Sequence, residues 1–172
     1  MCNLFNLQTL ISECFVRELP KGIHKLVNLR HLYLMDAIRL PKGLRELTCL
    51  KTLNQFEVAT KDSGIFKKRH MKLEDLNKLN HLEGSLSIDG IGGVKDVGEA
   101  DRAQLKRKKG LVELKLYFGG DSSELRSRNS TLLLEDLQPH PNLKHLVIES
   151  YYGTSLINLK SLVLMYCLNC ES

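Results

Sequence analysis

No stretch of this 172-residue chain approaches the roughly 18 uninterrupted apolar residues that a membrane-spanning helix needs, which excludes such a span. The opening Met1-Cys2-Asn3-Leu4-Phe5 lacks a cationic segment followed by a long apolar run, so no secretory signal is expected. The expectation is a chain of the cytoplasm, and also of the nucleus, with reduced thiols. Its five cysteines, an odd number, fit that setting better than a disulfide framework. Charge of one sign is scarce as well: 25 basic against 20 acidic side chains leave +5, weak support for an anionic partner. Tryptophan is absent. What remains is an ordinary soluble composition, 42% hydrophobic and 26% charged, long enough for one domain with a substantial core.

Leucine is what the chain does have, and it recurs in a phase. The unit L-x-x-L-x-L fits Leu29-Leu32-Leu34, Leu111-Leu114-Leu116, Leu143-Leu146-Ile148 and Leu159-Leu162-Leu164. An amphipathic helix has no reason to change from spacing three to spacing two at the same phase each time, whereas a short strand does, because its alternate side chains point to opposite faces. This is the signature of a leucine-rich repeat, in which one coil cannot bury its leucine face alone and must stack on others. The first leucines of successive units, Leu7, Leu29, Leu50, Leu82, Leu111, Leu143 and Leu159, lie 22, 21, 32, 29, 32 and 16 residues apart. The predicted fold is therefore a curved α/β solenoid spanning residues 1–172, with a parallel sheet on its concave side and an irregular convex side. Irregular insertions are expected near 59–75 and 119–133, and a deletion near 153–158, where the spacing is too short for a coil.

Between units, Leu19-Pro20-Lys21-Gly22-Ile23 and Leu40-Pro41-Lys42-Gly43-Leu44 are near copies. Proline is expected to fix φ at the end of the convex leg, and glycine to ease the turn back to the next strand. Residues 59–72 and Asp121–Thr131 read as surface loops. A helix is expected over 97–110, with Glu99 and Asp101 in its first turn, Lys106, Arg107, Lys108 and Lys109 in its last, and Gly110 as its left-handed stop.

Candidate chemistry is thin. Cys167-Leu168-Asn169-Cys170 has no second ligand pair for zinc, and Cys167 falls where a repeat places an inward polar residue, so a structural role is expected. In Gly90-Ile91-Gly92-Gly93 the dinucleotide pattern fails at Lys95, and a phosphate loop would need lysine where Glu99 stands. Lys67-Lys68-Arg69-His70 has no interleaved aromatics to stack bases, and Lys106–Lys109 reads as solvated charge at a helix end, so a nucleic-acid partner is not expected. The histidines show no ligand spacing, and no catalytic constellation is anchored by a local motif. Neither enzyme activity, cofactor nor metal is expected.

Parity instead predicts a face. Positions three, five and seven of each unit point outward from the sheet: His31, Tyr33 and Met35; Thr52, Asn54 and Phe56; Glu113, Lys115 and Tyr117; His145, Val147 and Glu149; Ser161, Val163 and Met165. Tyrosine and methionine are enriched at protein interfaces, so this row is the expected protein-binding surface.

Leu19 to Leu32, with Val27-Asn28-Leu29-Arg30-His31-Leu32 at its end, resembles repeats of plant nucleotide-binding leucine-rich-repeat disease-resistance proteins. The segments Leu76 to Ile91 and Glu99 to Leu116 look like the irregular region of the coiled-coil class of those receptors, and Pro141 to Leu146, Tyr151 to Thr154 and Cys167 to Cys170 are similar to the block that follows. A Phe-Pro and tryptophan-containing stretch usual in relatives is absent after Thr154. The resemblance implies the sensing half of an intracellular immune receptor: repeats that recognise pathogen-derived or guarded host proteins and restrain a nucleotide-binding switch domain. Nothing here matches that domain, so no nucleotide site is carried over. The alternative it leaves open is a free-standing adaptor or decoy, or an inactive truncated receptor.

Overall fold

The computed structural model describes residues 4–13, 18–36, 38–59, 69–119 and 124–151. The strands within them are β1 (Thr9–Ser12), β2 (His31–Leu34), β3 (Thr52–Leu53), β4 (Gln55–Glu57), β5 (Glu83–Asp89), β6 (Gly110–Tyr117) and β7 (His145–Glu149). All pair in parallel and in chain order, β1-β2-β3 in one sheet and β4-β5-β6-β7 in another. Where one parallel sheet was expected, there are two.

The repeat leucines meet in a common interior. Leu29, Leu32, Leu50, Leu86 and Leu114 are fully buried, and Leu53, Leu116, Leu146 and Ile148 nearly so. The in-register pairs Leu10–Leu32–Leu53 and Leu86–Leu114–Leu146 stack these side chains strand on strand. Each leucine taken from water contributes on the order of 2 kcal/mol, and only the neighbouring coil can supply that cover.

A second layer of short helical turns closes the core. The 3-10 turns Lys21–Lys25, Lys42–Glu46 and Leu73–Lys78 pack in succession, and helix α1 (Glu99–Arg102) packs on the last of them. Pro20 and Pro41 stand at the start of the first two turns, each extended with φ near −60°, so proline opens this leg and does not end it. Buried Ile23 and Leu44, three residues after each proline, point these turns into the core.

Three further expectations need correction. The predicted 97–110 helix is a single turn, Glu99–Arg102, which Gln104 ends in the left-handed region at φ 53°; a 3-10 turn, Leu105–Arg107, follows, and Gly110 begins β6. Ala100, Ala103 and Leu105 are buried against the layer, and a longer α-helix would swing that apolar face away. Lys108 is not solvated charge but fully buried, its Nζ donating to the carbonyls of Leu76 at 2.7 Å and Leu79 at 3.0 Å. The segment expected as a loop at 121–131 carries α2 (Glu124–Asp136), whose Ser130, Leu133 and Leu134 are buried, as is Leu137 just after it.

In the insertion near 59–75, Ala59, His70 and Met71 are buried rather than at the surface. The Met71 amide donates to Leu40 at 2.8 Å and the Ala59 amide to Met71 at 3.2 Å. Lys67, Lys68, the proposed deletion and Cys167-Leu168-Asn169-Cys170 lie outside the described residues.

Candidate protein-recognition face

Side-chain parity sorts each strand into a core face and an open face. On β2, Leu32 and Leu34 go inward, leaving His31 half-buried and Tyr33 exposed, with Met35 exposed just beyond the strand. On β6, Leu114 and Leu116 go inward while Lys115 and Tyr117 are exposed and Glu113 is half-buried. On β7, Leu146 and Ile148 go inward, His145 is exposed, and Val147 and Glu149 are half-buried. Val163 and Met165, with Ser161, lie outside the described residues.

Phe56 is the exception, fully buried where an exposed anchor was expected. The cause is Asn54. Its side chain turns to the neighbouring strand, accepting from the Leu34 amide and donating to the Leu34 carbonyl, both at 2.8 Å. The pairing breaks between β3 and β4, parity slips by one, and Leu53 and Phe56 both face the core, three residues apart. Asn54 is thereby committed to the backbone, and Gln55 and Glu57 take the open side instead; Gln55 donates to the Met35 carbonyl at 3.1 Å.

Residues that parity counting passed over complete the face. In β5 these are Ser85, Ser87 and Asp89, in register with Glu113, Lys115 and Tyr117. The unit was obscured because Leu82 lies four residues before Leu86, not three, and the β5–β6 register shifts at Gly84/Ser85, where Gly84 has φ +78°. The alternation Leu86-Ser87-Ile88 was the available signal. In β1, Ile11 is exposed directly beside Tyr33.

Polar contacts order this surface. His31 Nδ1 lies 3.0 Å from the Thr52 hydroxyl, Arg39 pairs with Glu57 at 3.0 Å, the Ser85 hydroxyl donates to Glu113 at 2.8 Å, and Lys115 pairs with Glu113 at 3.6 Å. Burial holds the Asp89 carboxyl above its ordinary range; the Ser87 hydroxyl opposes that shift, and the charges of Glu57 and Glu149 add to it. Among the described residues no group of three or more His, Cys, Asp or Glu could hold a metal ion, and no helix is long and apolar enough to cross a membrane. Chemically, the face offers aromatic and aliphatic contact area with hydrogen-bonding and acidic groups, the components of a protein interface.

A family model described as R13L1/DRL21 LRRs matches residues 73–172. The chain is 36% identical over 138 residues to the putative disease resistance protein RGA1 of Solanum bulbocastanum, covering 77% of this chain and 13% of that protein. It is 36% identical over 113 residues to the putative disease resistance protein RGA4 of the same species, covering 66% and 10%. To the putative disease resistance RPP13-like protein 1 of Arabidopsis thaliana it is 35% identical over 89 residues, covering 48% and 8%. It thus spans between 8% and 13% of the length of these three relatives. Recurrent leucines, parallel strands in chain order and these matches place the chain in the R13L1/DRL21 leucine-rich-repeat family, the repeat region of plant disease-resistance proteins.

Proposed function

We propose that the stacked coils form a curved solenoid whose open sheet face is the protein-recognition surface of an intracellular plant immune receptor. The observation that carries this reading is the exposure of Tyr33 at 40% and Tyr117 at 41% on strands whose alternate side chains are almost wholly buried. Rings held on rigid strands give up little side-chain entropy on binding, and aromatic anchors dominate interface energies. The partner is a pathogen-derived or guarded host protein, and in a full-length receptor the repeats also restrain a nucleotide-binding switch domain. A ligand that prefers the active arrangement shifts the resting equilibrium by no more than its difference in affinity for the two states.

The test is proximity labelling in plant cells, comparing the chain with its Tyr33→Ala/Tyr117→Ala variant. Labelled proteins lost from the double variant, and recovered as direct ligands by calorimetry, are the expected result, with an unchanged thermal melt because both rings lie outside the core. Identical labelling and affinity for the two forms removes this face from recognition.

A further inference from the structure

One register row of the second sheet reads Glu57, Asp89, Tyr117, Glu149, one residue from each of β4 to β7. Adjacent strands lie about 4.8 Å apart, so Asp89 and Glu149 are the two flanking neighbours of Tyr117. Like charges opposite one another on adjacent strands destabilise a sheet. In a chain of net charge +5, this row nevertheless collects three carboxylates.

The cations nearby are already committed. Arg39 holds Glu57 at 3.0 Å, and Lys115 in the adjoining row pairs with Glu113 at 3.6 Å. Asp89 has the Ser87 hydroxyl at 3.4 Å, and among the described residues no cation pairs with Asp89 or Glu149. The Tyr117 ring also has a built seat. It lies against Gly119, at φ +56°, where an added Cβ would come within 2.9 Å of the ring's Cε1. Glycine leaves room for the ring in this place, and Tyr117 stays 41% exposed between its two acidic neighbours.

We propose that Asp89, Tyr117 and Glu149 receive an arginine side chain of a protein partner, its guanidinium stacked on the ring and paired with both carboxylates. The reading deepens the recognition surface proposed above and rests on it. Arginine fits better than lysine because the guanidinium is planar, weakly hydrated, forks toward carboxylates and stacks on aromatic faces, whereas an ammonium offers only a compact charge. An incoming cation also relieves the repulsion along the row, so its binding is coupled to a local gain in the sheet.

The experiment is fluorescence anisotropy with the purified chain and a Gly-Ser peptide carrying four arginines, against lysine and citrulline versions. The arginine peptide should bind about tenfold more tightly than the citrulline peptide and severalfold more tightly than the lysine peptide. Tyr117→Ala, and separately Asp89→Asn/Glu149→Gln, should each erase most of that preference, while Asp101→Asn on α1, whose carboxylate pairs with Lys106, should leave it unchanged. The amide double variant preserves shape and removes repulsion, so its circular dichroism should match that of the parent chain. Equal arginine and lysine affinities, or an arginine preference that survives the amide variant, overturns the site. Either failure, alongside partners still lost on Tyr33→Ala alone, would leave the broader recognition face standing.

Discussion

Lys108 carries its ammonium into the core, and among the described residues no carboxylate pairs with it. The two carbonyls it caps, those of Leu76 and Leu79, lie in the last residues of the turn Leu73–Lys78 and just past it, where carbonyls concentrate negative potential. Burial nevertheless pushes its pKa from the ordinary 10.5 down to about 8. The unfolded chain therefore keeps this proton up to about pH 10.5 while the folded chain releases it near 8. Across that window the unfolded state binds more protons, so the lysine's contribution to stability rises with pH. Urea unfolding of the chain and of Lys108→Met should show wild type gaining on the variant from about pH 8 to 10.5; a difference independent of pH contradicts the buried ammonium. Lys108→Ala, which leaves the Leu79 carbonyl unmet, takes one of two donors from that of Leu76 and opens a void, should cost about 2–5 kcal/mol at neutral pH. In the sequence this residue was indistinguishable from its basic neighbours, because its partners lie 32 and 29 residues away.

Among the elements, the glycine turn after β5 shows how a motif can mislead. Gly90 takes φ +78°, and the Gly92 amide donates to the Phe118 carbonyl at 2.8 Å. A Cβ on Gly92 would lie 2.7 Å from the Phe118 oxygen and 2.9 Å from that of Gly119, both backbone atoms with little room to yield. The glycine thus serves the close approach of this turn to the end of β6. Gly92→Ala should destabilise by about 1–3 kcal/mol in urea melts, whereas Gly22→Ala, with nothing within 4 Å of its Cβ, should change little; similar costs at both sites would contradict this packing. Helix α2 differs from its local sequence signal for a related reason. Its polar composition matches a loop, but Leu133 and Leu134, with Leu137 just beyond its end, give it a buried side, and Phe118 and Tyr151, edge to face at 5.1 Å, close the core nearby.

For the whole molecule, the described strands pair in chain order and β3 also meets β5 across the break between the sheets, so stability is carried largely by interfaces between successive coils. Leu32→Ala, in the first sheet, should cost about 2–5 kcal/mol locally. Hydrogen exchange should then accelerate first in β1, β2 and β3 and least in β7; a uniform rise over all strands would show instead that the stack unfolds as one unit. Across the layer of turns, Arg45 reaches Asp75 at 2.7 Å and Lys72 reaches Glu99 at 3.4 Å, pairs that tie successive coils together. Asp75 also accepts from the Lys72 amide at 2.9 Å, capping its own turn, so one buried carboxylate serves both purposes. Strand leucines are legible in the sequence because parity is a local property: Leu32, Leu34, Leu114, Leu116 and Leu146 all reach the core. Most of the open face followed from the same parity, including Tyr33, Lys115, Tyr117 and His145.

By itself, the leucine spacing determined that parallel strands share one interior and which residues of a regular unit face outward, since both depend only on a side chain's place within a few residues of backbone. The tertiary structure alone decided where that rule changes. Asn54 reaches across 20 residues to Leu34 and turns Phe56 inward, and the β5 register shift brings Asp89 beside Tyr117. Both outcomes depend on hydrogen bonds between coils, whose partners meet only after the chain has stacked.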